Sequence, residues 1–230
     1  MKLGPLVIVV LVVAAIVVFF WWLARKRKGE VAAASAAASA RGWTWVGKDD
    51  SVFAGLTPLM FGEGQRRWAD DVVKGDDFVA YSFHWVTGRG DRKDTHTRRV
   101  TMVSTGVQLP MMEVVPQTVV SSVETAMSGG DMDVELAAFN KGWSVRSTVA
   151  PAAHAVLHPR MIERLMDPAM RFRSVFFDQG RIGIVDLVVQ TPDLIDHATA
   201  TVAIAKEIQA LVPPHVVREY GGSDAGQAPK

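Results

Sequence analysis

From Leu6 to Ala24 the chain reads LVIVVLVVAAIVVFFWWLA, an apolar run with no charged or polar break. At the helical rise this length spans roughly 28 Å, close to the ~30 Å hydrocarbon core of a bilayer. A helix apolar on every side leaves no face for water, so the pattern predicts a single transmembrane helix. Trp21 and Trp22 stand at its carboxyl end, where indoles favour the headgroup interface. Arg25, Lys26, Arg27 and Lys28 follow directly, against Lys2 and the amino terminus on the other side. That imbalance predicts a single-pass chain in the cell membrane, with the lipid bilayer as a partner and the remaining chain in the cytoplasm. An extracytoplasmic envelope domain is the alternative. Ala32-Ala33-Ala34 and Ala36-Ala37-Ala38 imitate a signal-peptide cleavage site. The apolar run is too long for that reading, and the basic block lies on its wrong side.

Beyond the basic block the pattern changes twice. Residues 29–41 are Ala/Ser-rich and read as a stalk, either a continuing helix that Gly42 stops or a flexible linker. From residue 42 to 220 alternating and helical periodicities share one domain. Trp68–Lys74 and Phe78–Val86 are predicted strands around the turn Gly75-Asp76-Asp77. In the second, Val79, Tyr81, Phe83 and Trp85 share the face expected to form the core. A polar loop is expected over Thr87–His96, then strands near Arg98–Val107 and Met111–Val115. A helix is expected over Thr118–Ser128, capped by Thr118 and stopped by Gly129-Gly130. Strands Asp131–Leu136 and Trp143–Val149 follow, then a short helix at Pro151–Leu157 and a second one beginning at His158-Pro159. Arg171–Asp178 and Ile182–Gln190 form a predicted hairpin. Thr191-Pro192-Asp193 opens a helix to Val212 whose stripe is Leu194, Ala198, Val202, Ala205, Ile208 and Val212. Residues 221–230 read as a disordered tail. The fold class is therefore α+β: a transmembrane helix, then one domain with a mainly antiparallel sheet and packed helices over 118–128, 151–167 and 193–212.

The order of several short stretches carries a resemblance. Arg41-Gly42-Trp43-Thr44-Trp45 follows the basic block, and Val72-Val73-Lys74-Gly75 precedes Phe78-Val79-Ala80-Tyr81. Phe139-Asn140-Lys141 and Leu157-His158-Pro159-Arg160-Met161 come later. Together these resemble a family of uncharacterised, membrane-anchored bacterial proteins carrying a domain of unknown function. The resemblance implies an anchored single domain and assigns no chemistry to any residue.

Charge narrows the function classes. Residues 42–230 carry 19 basic and 23 acidic groups, a net of −4. Nucleic acid is a poor partner for such a domain, because binding it needs a concentrated basic surface. There is no cysteine, which removes disulfides, thiolate metal sites and cysteine nucleophiles.

Few side chains converge by spacing alone. Ser82 and His84 share a strand face, and Asp71 falls on the preceding strand, which makes a triad candidate without a nucleophile-elbow glycine pattern. Asp70-Asp71 should point to opposite faces of a strand, and Asp49-Asp50 and Asp76-Asp77 read as solvated edge or turn charge. His154 and His158 have the spacing of a zinc helix, but Ala155 stands where a catalytic glutamate belongs and Pro159 starts a new helix. No metal site or cofactor is expected. Asp131, Asp133 and Glu135 lack the glycine and closing glutamate of a calcium loop. Arg89-Gly90-Asp91 is a charged turn. The pattern favours a non-enzymatic membrane-tethered binding or scaffolding module with a protein partner. A membrane-anchored hydrolase using Ser82 and His84 is the alternative.

Overall fold

The computed structural model describes residues 4–58, 61, 64–90, 92–117, 137–188 and 193–220, with side chains from residue 11 onward except 24 and 137. The expected helix 118–128, strand 131–136 and tail 221–230 lie outside the described residues, as does Asp91. Residues 1–45 and 46–230 form two compact units.

The first unit is dominated by α1 (Gly4–Ser39). The expected transmembrane helix is corrected here: among the described residues no helix is long and apolar enough to cross a membrane. The Leu6–Ala24 run lies within α1. The same helix then continues through Arg25–Lys28, Glu30 and the Ala/Ser run. Residues 6–10 and 24 of the expected span fall outside the described side chains. A single-pass membrane span therefore has no support among the described residues.

The second unit is built on an eight-stranded sheet in the order β1-β2-β3-β4-β8-β7-β5-β6. The strands are β1 (Thr44–Gly47), β2 (Arg66–Lys74), β3 (Phe78–Arg89) and β4 (Arg92–Ser104), then β5 (Met112–Pro116), β6 (Trp143–Ser147), β7 (Arg173–Asp178) and β8 (Arg181–Asp186). The paired strands from β2 onward are antiparallel. Helices α2 (Ala137–Asn140), α3 (Ala150–Val156), α4 (Pro159–Leu165), α5 (Leu194–Leu211) and α6 (Pro214–Tyr220) complete the unit. The domain itself is α+β as expected. The predicted polar loop Thr87–His96 is instead ladder: β3 and β4 pair from Phe78↔Val103 out to Arg89↔Arg92. Hairpin pairing holds these polar residues extended although no apolar alternation marks them.

On one face of β3, Tyr81, Phe83 and Trp85 are buried against Val52, Leu56 and Phe61, with Val79 packed at the margin. Phe61 meets Phe83 and Phe176 edge-on at 5.1 and 5.5 Å. Gly183 stands opposite Phe176, and a Cβ there would lie 2.1 Å from its ring, so only glycine admits this aromatic. The opposite face is buried too, with Ala80 at 0% and Ser82 at 4% exposure. α5 packs across β3, β4 and β8 on that side, and the hydroxyls of Thr101 and Thr201 meet at 2.8 Å. Its N-cap is Asp193, whose carboxylate accepts from the amides of Ile195 and Asp196, satisfying donors left open by the first turn. Its buried face includes Ile195, His197, Thr201 and Ile204 besides Leu194, Ala198, Ala205 and Ile208, while Val202 of the expected stripe is only half-buried.

Tyr81 separates size from polarity. Its hydroxyl is buried without a hydrogen-bond partner among the described residues, and burial pushes its pKa above the usual tyrosine range, with Arg181 opposing. Tyr81→Ala is expected to cost about 3–5 kcal/mol. Tyr81→Phe, which removes only the unpaired hydroxyl, should leave the melting temperature level or raise it. Thermal melts of the two variants check the contrast.

Candidate functional site

The helix-covered face of the sheet carries two polar rows at right angles to the strands. Register places Asp70, Ser82, Arg99, Asp186 and Arg173 side by side across β2, β3, β4, β8 and β7. One step along, Trp68, His84 and Thr97 form the second row. Sequence spacing placed Ser82 and His84 on this face. It did not place Asp70 and Asp71 there together.

A bulge explains the difference. β2 slips register between Asp70 and Val73, and Asp71 adopts φ 53°. Two residues then oppose Tyr81, which breaks the period-two alternation. The expectation that Asp70 and Asp71 face opposite ways is therefore corrected. Asp70 Oδ1 lies 2.7 Å from His84 Nε2, and Asp71 Oδ2 accepts from Ser82 Oγ at 3.5 Å. Val72 takes the place in the aromatic core.

The three triad candidates are neighbours, but Ser82 and His84 are not bonded to each other. Ser82 donates to Asp71, while His84 uses Nε2 on Asp70 and Nδ1 on Thr97 Oγ1 at 2.9 Å. Trp68 stacks on the imidazole at 4.9 Å and Arg66 lies over Trp68 at 5.5 Å. Nucleophilic catalysis of this kind needs the base hydrogen-bonded to the hydroxyl it deprotonates. Here each group is committed to a different carboxylate.

Further along the first row sits a buried ionic group that sequence reading missed. Asp186 is held by Arg173 Nε at 2.8 Å on Oδ1, and by His197 Nδ1 at 2.9 Å from Oδ2. Burial alone would raise the Asp186 pKa; His197 and Arg173 outweigh it and hold the carboxyl below its ordinary range. Arg99 lies between the two halves of the row. Burial lowers its pKa, opposed by Asp71, Asp193 and Asp186. The one sequence signal for this group was His197 and Thr201, polar residues four apart inside an otherwise apolar helix face.

The other candidates lie apart from these rows. Trp21 and Trp22 are exposed on α1, with Arg25 over the first ring and Lys26 over the second. Lys26 also approaches Glu30 at 3.8 Å; Arg27 and Lys28 follow on the same helix. His154 is in α3, whereas His158 precedes α4 and its Nε2 donates to the Leu211 carbonyl at 2.8 Å. Among the described residues no cluster of three or more potential ligands could hold a metal ion. Asp49 pairs with Lys74 at 2.7 Å, Asp50 accepts from the Ala69 amide, and Asp77 pairs with Lys206.

The described domain is an antiparallel α+β sheet protein with aromatic packing on one face and helices on the other. Its fold is similar to the crystal structure of the mycobacterial trehalose monomycolate transport factor A, TtfA, with a TM-score of 0.53 and 14% identity. The match covers 79% of this chain and 94% of that chain. At that identity the likeness is one of fold. No family model matches the sequence, and no curated protein matches it.

Acid should act on the carboxylates with lowered pKa. Hydrogen bonds from Lys74 and then Ser51 bring Asp49 from 3.8 down to about 2. A folded-state pKa below the unfolded one contributes stability above the unfolded value, and that stability is lost as pH falls through the folded one. Urea midpoints should therefore decline between about pH 4 and pH 2, and Asp49→Asn should flatten part of that limb. Asp186→Asn, which leaves the Arg173 guanidinium without its carboxylate, is expected to cost about 3–5 kcal/mol at neutral pH.

Proposed function

We propose that this chain is a non-enzymatic binding module serving a transport process. The observation that carries the reading is the separate commitment of Ser82 and His84 to Asp71 and Asp70, which leaves neither poised on the other. Ser82 is also buried, so a substrate carbonyl has no open approach to its hydroxyl. Similarity of fold to a protein titled a trehalose monomycolate transport factor supports the transport part. We place the module at the cytoplasmic face of the cell membrane. The Arg25–Lys28 block supports this, because each basic residue near anionic lipid gains about 1 kcal/mol.

Copurification of the tagged full chain after chemical crosslinking in cells tests the reading, alongside assays with generic ester and phosphate-ester substrates. The expected result is a reproducible protein partner and no turnover. Turnover that disappears in His84→Ala at an unchanged melting temperature would establish the hydrolase alternative instead. Neutralising Arg25, Lys26, Arg27 and Lys28 together should lower recovery on anionic vesicles; equal recovery would remove the membrane-surface part.

A further inference from the structure

The β3–β4 hairpin outruns its neighbours. β2 begins pairing with β3 at Arg66↔Val86, and β8 stops pairing with β4 at Arg99↔Asp186. Past these rungs the two strands have only each other among the described residues. The direction of the free backbone groups follows from two hydrogen bonds. Ser104 N–H donates to Asp77 on the β3 side, and Thr105 N–H donates to Gly180 on the β8 side, each at 2.8 Å. Register is continuous along β4, so the alternation carries down the strand. Lys93, Thr95 and Thr97 therefore turn their N–H and C=O groups to the outer edge, where the Thr97 carbonyl already accepts from Arg98 Nη1 at 3.2 Å.

Charge defines what fits there. Arg89 stands directly opposite Arg92, a like-charge pair that costs stability unless an anion neutralises it. Lys93 is exposed beside them, and Arg98 lies over Trp85 at the base of the ribbon. Against them stand Asp91 and Asp94, so residues 89–98 keep a net charge of +2 in a domain whose net charge is −4. A protective edge charge would serve with either sign; a basic edge repels a second copy of itself and admits an acidic strand. The described tip residues Gly90, Arg92, Lys93 and Asp94 include none that could enter hydrocarbon.

We propose that the outer edge of β4 at Lys93–Thr97 takes an extended acidic segment of a protein partner as an added strand, with its carboxylates set against Arg92, Lys93 and Arg98. This rests on the binding-module reading and gives it a surface and a partner chemistry.

The test titrates the full chain into a fluorescein-labelled peptide of about eight residues alternating Glu and Val. Saturable anisotropy is expected. Binding should weaken by about tenfold or more for Thr95→Pro, which removes one outward N–H, and for Arg92→Glu with Lys93→Glu. The same peptide N-methylated at alternate residues should fail against the unaltered chain, a control independent of how any variant folds. Affinity unchanged by both Thr95→Pro and N-methylation would mean diffuse charge attraction and overturn the strand-addition proposal. So would binding of anionic vesicles or duplex DNA in place of the peptide, or of none of the three. Copurification of a partner scores the binding-module reading separately from each of these outcomes.

Discussion

Asp186 held between Arg173 and His197 is the interaction on which the rest of the domain depends. A carboxylate taken out of water costs several kcal/mol, and only close cations with good geometry offset it. Arg173 approaches from β7 and His197 from α5, so one carboxylate fixes the register of a hairpin and the seating of the longest helix of the second unit. Apolar packing alone would let α5 slide along the sheet with modest penalty. The charge contact and the Thr101–Thr201 hydroxyl pair do not allow that. Specific position is the gain here, at some expense in desolvation.

The same group sets where the sheet stops. Asp186↔Arg99 is the last rung between β8 and β4, while Leu187 donates to Phe172 and carries the β7–β8 register one residue further. The carboxylate thus sits where β8 ends its pairing with β4. Beyond that rung the ribbon is paired only within its own hairpin among the described residues. Its polar, basic sequence suits a segment held by hairpin pairing rather than by burial.

Much of the fold was legible where periodicity is strong. The alternation of Val79, Tyr81, Phe83 and Trp85, the hairpin between Asp178 and Ile182, and the helix opening at Thr191-Pro192-Asp193 all announced themselves in residue order. Three features did not. The β3–β4 extension carries no apolar alternation, because pairing within the hairpin rather than burial keeps it extended. The bulge at Asp71 needs a left-handed residue that no glycine marks, so the two adjacent aspartates came to one face unannounced. The apolar run at Leu6–Ala24 read as a span by length and hydropathy, whereas among the described residues no helix is long and apolar enough to cross a membrane.

The candidate site was half legible for a related reason. Ser82 and His84 sit two apart on a strand, so their common face follows from pleat geometry alone. What each bonds to does not, since partners come from β2 and β4 through register and through a one-residue bulge. Proximity without mutual hydrogen bonding is the outcome. A bulge one residue earlier or later would change which aspartate meets the imidazole and which meets the hydroxyl. The polar rows act as a scaffold: Trp68 and Thr97 hold the His84 ring, and Arg99 feels the charge of Asp71, Asp193 and Asp186. Side chains already held in place have little ordering entropy left to lose. The helix-covered face thus holds the sheet in shape, and the strand addition proposed for β4 would use the ribbon that this sheet presents.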